Sequence, residues 1–89
     1  MKQFTYRIQD PSGLHARPAG ALATFSKQFS ADVRVSANGK EADAKRLLAL
    51  MTLGAVTGTE LVFSVTGEDE ERAAVELERF CITHLGGGT

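Results

Sequence analysis

The sequence has no tryptophan, a single cysteine and only two prolines. One thiol excludes an internal disulfide and leaves no partner for a cysteine-based metal site, so nothing here calls for an oxidising compartment. No charge of one sign dominates: ten Lys and Arg stand against eleven Asp and Glu, a formal net charge of −1. That balance argues against a chain built to hold nucleic acid, which would carry a clear basic excess. Long apolar runs are also missing. The most apolar stretch, LLALMTLGAV from Leu47 to Val56, is far short of the ~20 residues a membrane-spanning helix needs. Met1 to Ile8 alternate in polarity and hold no apolar core of a signal peptide. These absences predict a cytoplasmic, soluble chain with no membrane insertion. What is present is ordinary for a globular protein: 89 residues, 43% hydrophobic and 24% charged. That length predicts one domain over residues 1–89, with a modest core and little room for a deeply buried active site.

The polarity pattern orders the chain. Phe4–Ile8 alternates as a half-buried strand, and Asp10–Gly13 is turn chemistry. From Ala16 the period becomes helical, with Ala19, Leu22, Ala23, Ser26 and Phe29 on one face. Pro18 fits there only in the first turn. Asp32–Ala37 is a second strand, Asn38-Gly39 a hairpin turn, and Glu41–Ala44 a short third strand. Lys45–Gly54 reads as a short helix ended by Gly54, and Glu60–Gly67 as the fourth strand. Glu68–Leu85 reads as the last helix, with Ala74, Leu77, Cys81 and Leu85 as its apolar stripe. Its acidic start suits the positive end of the helix dipole. Residues 86–89 read as a frayed tail. The order β-α-β-β-α-β-α predicts an α+β fold, an antiparallel sheet with helices on one face. Phe4, Tyr6, Ile8, Val33, Val35, Leu61, Phe63 and Val65 form the expected sheet side of the core.

The stretch GLHARPAG, Gly13 to Gly20, places a histidine where the first helix should begin. If His15 is the N-cap, the N–H groups of Ala16 and Arg17 lack partners inside the helix and point toward it. The helix dipole adds partial positive charge there, and Arg17 adds a full charge with a fork of donors suited to phosphate oxygens. Together they form an anion site beside an imidazole. A neutral imidazole can attack a phosphoryl group and hold it covalently, with those donors stabilising its oxygens. No acidic pair lies near His15 in sequence to hold Mg²⁺, and no metal or cofactor is expected. Taken alone, however, a loop histidine, a helix-start proline and a surface arginine more often have no chemical role.

The short helix has two apolar faces. At 100° per residue Leu47, Leu48 and Met51 fall within an arc of about 100°, with Ala49, Leu50 and Leu53 roughly opposite. One helix on a sheet cannot bury both. Leu50 and Leu53 are expected inward, leaving Leu47, Leu48 and Met51 at least partly exposed as a docking face.

Three landmarks carry a resemblance: GLHARPA at Gly13–Ala19, NGK at Asn38–Lys40 and LMTLG at Leu50–Gly54. In this order and spacing the chain resembles, over about Phe4–Leu85, the HPr family. These are the histidine-containing phosphocarriers of the bacterial phosphoenolpyruvate-dependent sugar phosphotransferase system. The resemblance implies an HPr-like open-faced β-sandwich, a four-stranded antiparallel sheet with three helices on one face. It implies that His15 is the phosphorylated histidine, through Nδ1, and that Arg17 assists transfer. Enzyme I would load His15, and enzyme IIA domains of sugar transporters would receive the group. Both would dock across the first helix and the short one, at Gly20, Thr24, Lys27, Leu47, Leu48 and Met51. Transcriptional regulators are further possible partners, and a carrier that alternates between partners is most simply a monomer. Such a protein is a phosphoryl carrier and not a turnover enzyme.

The chain departs from the family at Arg46, where many relatives carry a kinase-regulated serine. Arginine cannot accept that phosphate, so regulation by the serine kinase is expected to be absent. A regulatory module of the same fold, acting by docking alone, is the alternative; His15 with Arg17 favours the carrier. A ferredoxin-like nucleic-acid or metabolite module is a distant third reading, since it would need a binding set of aromatic or basic sheet residues that the sequence pattern does not offer. His84, near the end of the last helix, reads as a complement to the dipole without chemistry. Cys81 reads as a small core residue.

Overall fold

A computed structural model describes residues 1–85; the expected frayed tail, 86–89, lies outside the described residues. Seven elements follow one another: β1 (Lys2–Arg7), α1 (Ala16–Ser26), β2 (Asp32–Ala37), β3 (Lys40–Asp43), α2 (Leu47–Met51), β4 (Glu60–Thr66) and α3 (Glu70–His84). The strands form one antiparallel sheet in the order β1-β4-β2-β3. Element order and type agree with the polarity pattern. The spatial order was not predicted: β4, last in sequence, lies between β1 and β2 because its residues bury on one side against both neighbours.

The register aligns the apolar positions. Tyr6 pairs with Leu61 and Phe4 with Phe63, while Val33 faces Val65 and Val35 faces Phe63. Opposite residues of an antiparallel pair share a face. The buried face is therefore continuous from Tyr6 through Leu61, Phe63 and Val65 to Val33, Val35 and Ala42. The other face carries Thr5, Arg7 and Arg34 in solvent. Phe4 is a correction: it is only half-buried, since it sits near the start of edge strand β1, though its ring stacks on Phe63 at 4.6 Å.

The Asn38-Gly39 turn closes the β2–β3 hairpin with φ of 53° and 76°, the doubly left-handed geometry of a type I′ turn. Strand β3 begins at Lys40, one residue earlier than expected, and Ala44 falls in the following turn. Helix α2 is shorter than expected. Asp43 Oδ1 accepts the Lys45 N–H at 2.9 Å and the Asp43 carbonyl accepts the Arg46 N–H at 3.0 Å. That turn holds Lys45 and Arg46 outside the helix, and Gly54 follows with φ 63°. Helix α3 begins at Glu70 and not Glu68, because the Asp69 carboxylate is engaged elsewhere: it accepts the N–H groups of Ser30 and Ala31 at 3.0 and 2.9 Å. Its buried stripe is Ala73, Leu77 and Cys81, continued by Leu85; Ala74 is only half-buried.

Helix α3 lies over β1 and β4, and α1 packs against α2 and α3. Burial, reinforced by Glu78, pushes the Cys81 thiol up to about 12, which removes it from chemistry at neutral pH.

Candidate functional site

His15 is the N-cap of α1, as its sequence context predicted. Its backbone is extended (φ −98°, ψ −171°), and its carbonyl accepts the Ala19 N–H at 3.0 Å, the first helical bond. Its imidazole makes no capping bond to its own helix, so the ring remains available for chemistry. Ala16, Arg17 and Pro18 form the first turn. The Ala16 and Arg17 N–H groups precede the first i→i−4 bond and lie at the positive end of the dipole. Pro18 is buried and lacks the N–H that a third position would leave unpaired. Arg17 is exposed and forms no ion pair among the described residues.

The loop before His15 is held tightly. Gly13 has φ 69°, and a side chain there would meet the Ala55 carbonyl oxygen at 2.6 Å and Val56 Cα at 2.9 Å. The close approach lets the Leu14 N–H donate to the Ala55 carbonyl at 3.0 Å and the Gly13 N–H to the Asp10 carbonyl at 2.9 Å. The Thr57 hydroxyl donates to the same Asp10 carbonyl at 2.6 Å, and Asp10 Oδ1 accepts the Ser12 N–H at 2.8 Å. His15 is therefore placed by two segments that are far apart in sequence.

Around it lies a surface cleft of about 340 Å³ lined by Asp10, Ser12, His15, Arg17, Pro18, Ala21 and His84. Sequence reasoning missed Asp10, Ser12 and His84 as neighbours of the site. His84 follows His15 by 69 positions, and no local periodicity connects them. Among the described residues, no group of three or more His, Cys, Asp and Glu side chains is placed to hold a metal ion, and no helix is long and apolar enough to cross a membrane.

The second predicted feature lies next door. On α2, Leu50 is fully buried, and Leu53 just beyond it is 1% exposed. Leu47, Leu48 and Met51 are 36%, 76% and 42% exposed. The division of faces is the expected one. Helix α2 contacts α1, where Thr24 and Lys27 are exposed and Gly20 is half-buried. Val56, beside the Gly13 contact, is a further exposed apolar side chain that was not predicted. The two stretches that build this side, 11–31 and 44–59, carry Arg17, Lys27, Lys45 and Arg46 and no carboxylate. All eleven acidic residues lie elsewhere in the chain. Arg46 stands at the N-cap of α2 without a capping bond. Its side chain is exposed.

An imidazole at a helix start, an arginine two residues on and an apolar face alongside suit a protein that takes up a phosphoryl group while docked to another. The sequence model described as "PTS HPr component phosphorylation site" matches residues 2–82. The chain belongs to the HPr family. The phosphocarrier protein HPr of Buchnera aphidicola subsp. Baizongia pistaciae is 40% identical over 83 residues, which are 93% of this chain and 98% of that protein. The histidine-containing phosphocarrier protein of Mycoplasma superposes with a TM-score of 0.91 at 31% identity, over 99% of this chain and all of that one. An HPr dimer from Thermoanaerobacter tengcongensis matches with a TM-score of 0.75 at 34% identity, over 97% of this chain and 99% of that one. The α+β sheet-and-helix architecture is thus that of HPr, and the role is that of a phosphocarrier of the phosphotransferase system.

Proposed function

We propose that His15 accepts a phosphoryl group from phosphorylated enzyme I and passes it to enzyme IIA domains of sugar transporters. In the first step a nitrogen of the His15 imidazole, Nδ1 by family resemblance, attacks phosphorus. A new P–N bond forms as the donor's bond to phosphorus breaks, and the donor group leaves with the electron pair. The second step repeats this on the acceptor, so the chain ends unchanged and acts as a carrier, not a turnover enzyme. The Ala16 and Arg17 N–H groups and the Arg17 guanidinium receive the charge on the phosphoryl oxygens.

The observation that carries this reading is the His15 N-cap, with its imidazole unbonded to the helix in a cleft it shares with Arg17. The docking face supports it. Leu47, Leu48 and Met51 offer exposed apolar area beside Gly20, Thr24 and Lys27, and the basic residues Arg17, Lys27, Lys45 and Arg46, carried on two stretches that themselves hold no carboxylate, fit partners with acidic rims. Arg46 at the start of α2 cannot be a serine-kinase target, so that regulation is absent, and transcriptional regulators that bind this chain would do so without that phosphate. The chain works as a single cytoplasmic domain and a monomer, because the α1–α2 face must be free for alternating partners.

Incubation with enzyme I and phosphoenolpyruvate, read by intact mass, tests the reading. One acid-labile phosphoryl gain is expected in the wild type and none in His15→Ala. No gain in the wild type would overturn it and leave docking alone as the function. Sedimentation before and after phosphorylation checks the oligomeric state, with a monomer expected in both.

A further inference from the structure

The cleft at His15 receives one side chain from α3. His84, in the last turn of that helix, lines the cleft together with His15 and Arg17. It is not a loose terminal side chain. Its ring lies 4.6 Å from that of Phe80 at a tilt of 36°, and Phe80 stacks at 4.5 Å on Phe25 of α1. An aromatic ladder across the α1–α3 contact thus fixes where the second imidazole stands, while its edge remains in solvent. On its other side His84 lines a separate cleft with Phe25, Phe80, Glu76 and Arg79.

The charges in the His15 cleft explain what such a ring can do there. A phosphoryl group on His15 brings two negative charges and three acceptor oxygens into a cleft that already holds the Asp10 carboxyl group. Asp10 Oδ1 is engaged by the Ser12 N–H, yet its charge still opposes the phosphoryl group. The helix N–H groups and Arg17 all come from α1, and the Ser12 hydroxyl from the loop before it. From α3, among the described residues, only His84 supplies a donor.

We propose that His84 is part of the phosphoryl site: it donates a ring N–H to an oxygen of the phosphoryl group carried on His15 and so favours the phosphorylated form. The role rests on the phosphocarrier reading of His15. His84 forms no bond to phosphorus, and the transfer itself is unchanged. The charged and titratable groups around it are His15 and Arg17 from α1, Asp10 from the preceding loop, and Glu76 and Arg79 from its own helix.

The test measures how phosphoryl groups distribute at equilibrium between phosphorylated enzyme I and the chain, by intact mass, in the wild type and three variants. His84→Gln keeps an N–H donor without the ring. His84→Phe keeps the stack on Phe80 without a donor. His84→Ala removes both. The donor role predicts that Phe and Ala lower the equilibrium constant for phosphorylation about three- to tenfold, as for a partly exposed hydrogen bond to a charged group, while Gln stays within twofold of the wild type. If Phe behaves as wild type and Gln as Ala, His84 only props the helices and the proposal is wrong. Equal constants for all four proteins would overturn it too. A wild type that takes up no phosphoryl group would remove the carrier reading and this role with it, an outcome distinct from a phosphorylated wild type with indifferent variants.

Discussion

Gly13 offers the sharpest perturbation. Its φ of 69° lies in the left-handed region, and a methyl group would stand 2.6 Å from the Ala55 oxygen and 2.9 Å from Val56 Cα. Both obstacles are backbone, so neither can swing aside. The conformation alone costs an alanine about 1 kcal/mol. Moving one backbone segment off another brings the total for Gly13→Ala to about 2–4 kcal/mol. A domain of this size is stable by only about 4–13 kcal/mol, so the variant folds with its melting temperature lowered by roughly 10–25 °C. Relief of the clash lifts the loop and breaks the Leu14–Ala55 hydrogen bond of 3.0 Å, which displaces His15. Phosphorylation by enzyme I is therefore expected to slow by about tenfold or more. Gly39→Ala is the control. Its φ is 76°, but nothing lies within 4 Å of the added methyl, so only the conformational cost of about 1 kcal/mol applies. Its melting temperature should fall by roughly 4–8 °C, with phosphorylation unchanged. Calorimetry and timed intact-mass assays on the pair decide the matter. Equal losses of melting temperature, or a Gly13→Ala protein phosphorylated at the wild-type rate, would refute the claim that close backbone approach positions the histidine.

Other substitutions separate core, surface and pH effects. Leu77→Ala, at a fully buried position on α3, should cost about 2–5 kcal/mol in urea unfolding, whereas Val75→Ala on the exposed side should stay within about 0.5 kcal/mol. Leu48→Glu, at the most exposed position of α2, should leave the melting temperature unchanged and raise KM for phosphorylation by enzyme I; an unaltered KM would remove Leu48 from the docking face. The Ser26 hydroxyl is buried without a partner among the described residues, so Ser26→Ala should stabilise the fold by about 1 kcal/mol in the same unfolding assay. For Asp69, desolvation raises the carboxyl pKa, but the hydrogen bonds from Ser30 and Ala31 outweigh it and hold the group below its ordinary 3.8. A carboxyl depressed in the folded state contributes stability above that ordinary value and loses it as pH falls through the lower, folded one. Acid titration should thus show wild-type stability declining below about pH 4, more steeply than in Asp69→Asn.

Much of this was legible locally. Polarity of period two marked β1, β2 and β4, and Asn38-Gly39 announced its turn, because those features depend only on neighbouring residues. Boundaries moved where a distant group competed. Asp43 bonds held Lys45 and Arg46 outside α2, and Asp69 turned toward Ser30 and Ala31 so that α3 began late. Phe4 was read as core from its alternation, but an edge position leaves it half-covered.

The candidate site divides the same way. His15, Arg17 and Pro18 could be read from seven consecutive residues, since a helix start needs nothing beyond its own turn. The two-faced character of α2 was likewise a matter of angular spacing. The sequence by itself determined the elements, the N-cap histidine and the chemistry available to it. Only the tertiary structure decided that β4 enters between β1 and β2, that the Ala55–Thr57 segment clamps the histidine loop, and that His84 arrives in the same cleft from α3. Those outcomes depend on which apolar faces cover one another, a property of pairs of distant segments that no single window of residues contains.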